Sequence, residues 1–480
     1  MPIATPRPSV LSSSLPPEAW GPLRQAARVA VRPLERFLQI EAASGVLLLI
    51  AAAFALACAN STWGPSYFHL WHTPVAVRVG AFTFERSLEW LVNDVLMVIF
   101  FFVVGLEIRR EVYKGELSEW RRAALPAAAA LGGMLAPAGL YLLIAGAPTT
   151  RSGWGVPMAT DIAFAIGVLA LLGKRVPSAL RVLLLALAVI DDLGAIIVIA
   201  LFYSSGLAPS ALLFAALGLG AIFLMQRIGV RAKLAYVPAG ILIWAGIYNA
   251  GIHPTIAGVI VGLITPVRTW LGPAGFATSV RHELDHLGGA PSTHELVKTL
   301  QNVDTARREA ISPAESLIET LHPWVAFGIM PVFALANAGV TVSGGTGTSA
   351  SWNVSIGVAI GLMLGKPAGI LLASWLTLRF RLGILPVGIG TRHLVVLGVV
   401  AGIGFTMALF VTQLAFSDST LMAAAKLGVL AASGGAAVLG LALGRVLLPA
   451  ALAAGAAESA DDAECPGSHA RMARDNGATN

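Results

Sequence analysis

Residues 185–204 read LALAVIDDLGAIIVIALFYS. About 20 apolar residues are enough to carry one helix across a bilayer. This run holds two adjacent carboxylates, Asp191 and Asp192, at its middle. One acid at the centre of a membrane helix costs roughly 2.5–3.5 kcal/mol on insertion scales, which the Leu and Ile neighbours offset. Two readings account for the pair. Either a neighbouring helix satisfies it structurally, or it is an ion or proton site at mid-membrane depth. The rest of the chain has to decide between them.

The chain of 480 residues is 56% hydrophobic and only 12% charged, and its mean hydropathy is +0.77. Soluble domains carry about 25% charge, so this is an all-α polytopic membrane protein. Evenly spaced alternating strands are absent, which argues against a membrane β-barrel. The 51 glycines suit close helix–helix approach. A net charge of +6 fits cytoplasmic loops rather than nucleic-acid binding. Cys58 lies in an apolar run and Cys465 near the C-terminus, so the spacing offers neither a disulfide framework nor a thiolate metal site. Residues 1–34 are rich in Pro, Ser and Arg and lack an apolar core, and they read as a disordered cytoplasmic leader rather than a signal peptide.

Twelve apolar stretches follow, near 40–59, 88–106, 122–145, 154–173, 179–203, 208–226, 233–250, 252–266, 322–340, 354–378, 391–416 and 421–448. Lys and Arg cluster before the first and after every even-numbered stretch but the last, and are absent after the fifth, seventh and ninth. The positive-inside rule then places both termini in the cytoplasm. The first external loop contains VAVRVGAFTFE, Val75 to Glu85, which alternates about Gly80 as a β-hairpin does. An isolated hairpin is marginal in water. It is either an ordinary loop or a strand pair docked on something, a second protomer included. The loop at 267–321 is predicted to hold two short cytoplasmic helices. Their starts are marked by the S-x-x-E boxes at Ser292 and Ser312, and the second runs into the ninth span near His322. Residues 449–480 read as a disordered cytoplasmic tail.

The ionisable residues read within the spans are Asp94, Glu107, Asp161, Asp191, Asp192 and Lys366. Five acids and one lysine outline a polar funnel for a cation. Glu107, Arg110 and Glu111 share one helical face near a cytoplasmic end, either as a solvated ion-pair cluster or as a functional mouth. The fourth stretch, GWGVPMATDIAFAIGVLALLG, is interrupted at Pro157, with Thr160 and Asp161 just after it. The eleventh, LGVVAGIGFTMALFV, is interrupted at Gly402 and Gly404 before Thr406. Paired interrupted helices in the two halves of a transporter point to a midplane site. Their half-helix dipoles call for compensating charge, which Asp161 and Lys366 can supply.

Six segments carry a resemblance: FFVVGLEIRREVYKGEL, GWGVPMATDIAFAIGVLALLGKRVP, ALAVIDDLGAIIVIALFYS, LHPWVAFGIMPVFALANAGV, GKPAGI and GIGFTMALF. In this order, over about residues 35–448, the chain resembles the sodium/proton antiporter A (NhaA) family. The resemblance implies twelve transmembrane helices and inverted repeats with two crossed discontinuous helices, segments 4 and 11. It also implies a homodimer in the bacterial inner membrane and electrogenic, pH-regulated exchange of Na⁺ or Li⁺ for H⁺, without a cofactor and without nucleic acid. It matches Asp191 and Asp192 to the Na⁺ site, Thr160 and Asp161 to the broken helix, and Lys366 to the lysine beside the pair. Asp94, Glu107, Arg110 and Glu111 match the entrance, and His322 is grouped with them in the pH response. Where some members carry a pH-sensing Glu before LHPWVA, this chain has Ile318 followed by Glu319.

Residue chemistry gives the same mechanism. Two adjacent carboxylates away from water titrate as a unit. They bind a hard cation when ionised and bind it poorly when protonated. Other uses of paired acids fit less well. An intramembrane aspartyl protease needs acids on separate helices with a GxGD context, and a diphosphate-binding DDxxD needs a third acid where DDLGA has none. A passive channel would need no proton coupling.

Overall fold

The structure, a computed structural model, describes residues 41–80, 82–204, 208–285, 292–342 and 348–448. The leader read at 1–34 and the tail read at 449–480, with Cys465, lie outside the described residues.

The chain opens with α1 (Glu41–Ala59), which turns by 114° into the short α2 (Gly64–His72). β1 (Pro74–Val79) and β2 (Phe82–Ser87) then pair antiparallel, from Pro74 opposite Ser87 to Val79 opposite Phe82. Gly80 makes the turn at φ +60°, a conformation that favours glycine. This is the hairpin that the alternation predicts. Its base is tied to the bundle through aromatic edges, Phe84 on Trp90 at 5.3 Å and Trp90 on Tyr248 at 6.1 Å.

Two long helices follow, α3 (Leu88–Lys114) and α4 (Trp120–Ala145). The fourth apolar stretch is a 3₁₀ segment, Arg151–Met158, bent by 42° from α5 (Ile162–Leu171). The aspartate pair lies within α6 (Ser178–Phe202). Next come α7 (Leu212–Ile228), α8 (Val237–Asn249) and α9 (Thr255–Ile264). At 17, 13 and 10 residues they are about 15–25 Å long, short of the ~30 Å hydrocarbon core.

The polar loop holds α10 (Gly272–Asp285) and α11 (Thr293–Ala310), and α12 (Pro313–Asn337) continues from it without a break into the apolar ninth stretch. Both caps form where the S-x-x-E boxes place them. The Ser292 hydroxyl accepts from Glu295 N, and the Ser312 hydroxyl accepts from Glu315 N at 3.2 Å. Donation from the Ser292 N–H and hydroxyl holds the Glu295 carboxyl below its ordinary range. Helix α10, which lacks such a box, is an addition to the sequence reading.

The chain ends with α13 (Ser349–Arg379), α14 (Thr391–Ala401), α15 (Phe405–Ala415) and α16 (Ser419–Leu447). Helices α14 and α15 form the second broken pair, bent by 46°. Among the described residues, α3, α4, α6, α12, α13 and α16 are long and apolar enough to cross a membrane alone. Large apolar side chains face outward on several of them, such as Leu143 at 83% and Val438 at 70% exposure. Water would not tolerate that surface and a bilayer covers it. This is a multi-pass membrane protein.

Two features of the helices go beyond the sequence reading. Helix α3 widens into a π-turn at Leu91–Leu96, α12 at Val325–Ile329 and α13 at Gly361–Gly365. Such turns insert one extra residue and often sit at functional positions; here the first includes Asp94 and the third ends next to Lys366. The ionisable residues read from the sequence were also incomplete, since Glu89 lies in α3 and Lys426, 8% exposed, lies in α16.

Small residues set the helix spacing that carries Lys366 inward. Gly132 of α4 and Gly369 of α13 face each other, and a side chain at Gly369 would meet Ala136 Cβ at 2.7 Å. Overpacking of this kind costs about 1–3 kcal/mol. Gly369→Val is therefore expected to lower the melting temperature of the detergent-solubilised protein. Gly434→Ala, where a methyl meets nothing within 4 Å, is expected to leave it unchanged or raise it slightly. Equal melting temperatures for the two variants would show that this contact does not set the spacing.

Candidate functional site

The two broken pairs meet at their breaks. Asp161 N donates to Ile403 O at 2.7 Å, and Thr160 Oγ1 lies 3.1 Å from Ala401 O. Pro157 falls inside the 3₁₀ half rather than at the break, and extended backbone starts at Ala159 (ψ 145°). The sequence places the interruption at Pro157; a 3₁₀ turn tolerates Pro there, and the chain opens two residues later. Gly402 and Gly404 have ordinary right-handed backbone angles. They are needed for close approach, because a side chain at Gly402 would meet Leu362 O at 2.6 Å and one at Gly404 would meet Ala159 O at 3.0 Å.

Each broken end finds a partner. Asp161 is the N-cap of α5, with Oδ1 accepting from Phe164 N at 3.0 Å. Its other oxygen accepts from Thr406 N at 3.1 Å and from the Thr406 hydroxyl. One carboxylate thus faces the positive ends of both half-helices, α5 and α15. At the negative end of the 3₁₀ segment, Lys366 Nζ donates to Met158 O. The compensation expected of Asp161 and Lys366 is therefore visible as specific hydrogen bonds.

Lys366 reaches one step further. Its Nζ lies 2.6 Å from Asp191 Oδ2, and Thr160 Oγ1 donates to the same oxygen at 2.6 Å. Lys366 is fully buried, and Asp191 and Asp192 are 1% and 3% exposed. Among the described residues Asp191 Oδ1 has no hydrogen-bond partner. Among the described residues Asp192 accepts no hydrogen bond either. The site therefore presents three carboxylate oxygens free of donors, beside one oxygen held by an ammonium and a hydroxyl. Among the described residues no three His, Cys, Asp or Glu side chains gather as a metal site. A cation here would complete its shell with neutral oxygens, which the breaks supply as Thr160 Oγ1 and uncoiled carbonyls.

The residues grouped as an entrance do not form one mouth. Asp94 and Glu107 lie about 20 Å apart along α3. Asp94 Oδ1 is 3.8 Å from His253 Nε2 at the hairpin end. Glu107 is half-buried and Arg110 exposed, toward the far end. Glu111 Oε1 accepts from Glu116 N at 2.7 Å and so closes the helix end instead of pairing with Arg110. His322 is exposed on α12. Ile318 is buried against Leu106 and Val267, and Glu319 beside it is exposed. The sequence reading missed His253, although its His-Pro-Thr start of an apolar helix was a visible cue.

A multi-pass bundle with two broken helices joined around buried acids and a buried lysine belongs to the class of ion-transporting membrane proteins. Comparison with known proteins makes this specific. The family described as Na⁺/H⁺ antiporter 1 matches residues 35–443. Similar proteins include the Na⁺/H⁺ antiporter NhaA 2 of Myxococcus xanthus, 69% identical over 94% of this chain and 97% of that one. The protein of the same name from Sorangium cellulosum is 53% identical over 94% and 97%, and that from Pseudomonas putida KT2440 is 50% identical over 88% and 94%. The chain belongs to the Na⁺/H⁺ antiporter family.

The Lys366–Asp191 contact yields a stability test. Removing one partner of a buried pair leaves an unmatched charge and costs about 3–5 kcal/mol. Lys366→Gln and Asp191→Asn are each expected to lower thermal stability, and the double variant is expected to regain part of the loss. Strictly additive losses would mean that the two groups are not energetically coupled.

Proposed function

We propose that this protein exchanges Na⁺ or Li⁺ for H⁺ across the bacterial inner membrane by alternating access to the Asp191–Asp192 pair. The observation that carries the reading is the unequal treatment of two adjacent carboxylates. Asp191 is held by Lys366 and Thr160, while Asp192 beside it has no hydrogen-bond partner among the described residues. Two carboxylates in a dry site cannot both stay charged unless a cation joins them. Either Na⁺ with its hard oxygen shell or protons satisfy the pair, and the two compete. Lys366 stabilises charge on Asp191, and arrival of Na⁺ weakens its claim on that carboxylate. If the pair reaches only one side of the membrane at a time, competition becomes obligatory exchange. Exchange is electrogenic when more than one proton replaces each Na⁺, which a two-carboxylate site permits.

The same reading assigns twelve crossings with both termini in the cytoplasm. The short helices α7, α8 and α9 then span by local thinning of the bilayer and snorkelling of flanking side chains. The two broken pairs are the crossed elements of an inverted repeat. Glu107, Arg110, Glu111 and His322 line the cytoplasmic side and tune the response to pH, with Asp94 on the path at the opposite end. The hairpin lies outside and pairs with its copy in a homodimer.

Two experiments test this. Asp192→Asn removes the negative charge without removing volume, and ΔpH-driven Na⁺ flux in proteoliposomes is expected to fall to the protein-free background. Wild-type flux in that variant would exclude Asp192 from the site. Deletion of residues 75–85 is expected to move the detergent-solubilised protein toward monomer on a calibrated sizing column, and an unchanged dimer would assign the contact elsewhere.

A further inference from the structure

A second polar group lies at the hairpin end of the bundle, apart from the aspartate pair. Gln413, near the end of α15, directs its side-chain amide at two acceptors: Glu89 Oε1 of α3 at 3.4 Å and Asn337 Oδ1 of α12. Asn337 is fully buried and passes the chain on, donating to Asn93 Oδ1 of α3 at 2.8 Å and to Phe333 O at 3.0 Å. Glu89 is the wet end, with 29% of its side chain exposed and His72 Nε2 3.9 Å away.

The position of Gln413 on its helix gives this chain a meaning. Helix α15 spans only Phe405–Ala415. Thr406, at its start, is bonded to Asp161, and Gln413 sits about two turns further on. Between them Phe410, 1% exposed, packs on Phe101 of α3 at 5.4 Å, on Phe333 of α12 at 6.3 Å and edge-on to His253 at 5.2 Å. The aromatic contacts form a dry plug above the site, and the amide chain is a tie across its outer side. So short a helix moves as a unit, so α15 cannot swing away from α3 and α12 unless the bonds of Gln413 break.

We propose that Gln413 is a positioning residue of the transport cycle. Its amide ties the α15 half-helix to α3 and α12, and this tie breaks each time the aspartate pair opens toward the hairpin end. The proposal rests on the antiport reading above. Its chemistry is that of a neutral amide bridging one carboxylate and one amide. The tie is strong enough to favour the closed arrangement and, carrying no charge of its own, weak enough to release.

The test compares Na⁺ exchange in right-side-out and inside-out membrane vesicles carrying the full chain. Gln413→Met keeps the bulk and removes the donor. Loss of a neutral hydrogen bond shifts a two-state population roughly fivefold. The apparent KM for Na⁺ from the hairpin side is expected to fall by about that factor, with little change from the other side. Asn337→Leu is expected to act in the same direction, and the double variant to match the stronger single variant, because both cut one tie. A purely structural role would lower protein yield or stability and leave the ratio of the two KM values where it was. If Gln413→Met does not fold, Asn93→Ala, which removes only the last acceptor, carries the same readout with a smaller shift in the same direction. Equal or absent changes on the two sides would overturn the tie. Absence of Na⁺/H⁺ exchange by the wild type in either vesicle would overturn the antiport reading itself and this proposal with it.

Discussion

Asp161 accepts from Phe164 N at 3.0 Å and from Thr406 N at 3.1 Å, so one carboxylate terminates both α5 and α15. Inside a bilayer no water is available for the freed N–H groups of a broken helix, and each costs several kcal/mol if left bare. Two breaks can coexist at one depth only because they share this anion. Ile403 O takes up the neighbouring donor, Asp161 N, and Ala401 O lies 3.1 Å from Thr160 Oγ1, whose proton goes to Asp191. The remaining carbonyl end, at Met158, draws in the ammonium of Lys366. Once Lys366 is there, Asp191 has a partner at 2.6 Å. The ion pair thus follows from the repair of the broken backbone.

The site gains its selectivity of purpose from imbalance. Asp161 is saturated with donors, Asp191 is held on one oxygen, and Asp192 has none among the described residues. Along that series the carboxylates pass from structural to available. Glycine supplies the room. Gly402 and Gly404 admit the carbonyls of Leu362 and Ala159, and Gly132 and Gly369 let α13 bring Lys366 to depth.

Much of this was legible in the order of residues. Asp191-Asp192 in an aliphatic run has few explanations, and Pro157 and Gly402-Ile-Gly404 lie within a few residues of the two breaks. Gly80 between alternating residues specifies a turn, and Ser292 with Glu295 specifies a cap. What stayed hidden depends on tertiary contact. The π-turns at Leu91–Leu96 and Gly361–Gly365 have no local signature. Gln413, Asn337 and Asn93 are single neutral amides in three separate apolar stretches, and nothing in their spacing says that they meet. Lys426 and Glu89 were visible as charges. Asp94 and Glu107 lie toward opposite ends of α3, since a shared helix separates two residues as readily as it joins them.

The central claim is that Na⁺ and protons compete for the aspartate pair, and binding heat tests it without requiring transport. Na⁺ is titrated calorimetrically into the purified wild-type protein at one pH in buffers of different ionisation enthalpy. Competition requires protons to leave as Na⁺ arrives. The observed heat is then expected to vary linearly with buffer ionisation enthalpy, with a slope reporting the protons released. Apparent affinity is also expected to strengthen as pH rises. Saturable Na⁺ binding with the same heat in every buffer and an affinity independent of pH would contradict the account, because the cation would then be entering a site that never held a proton.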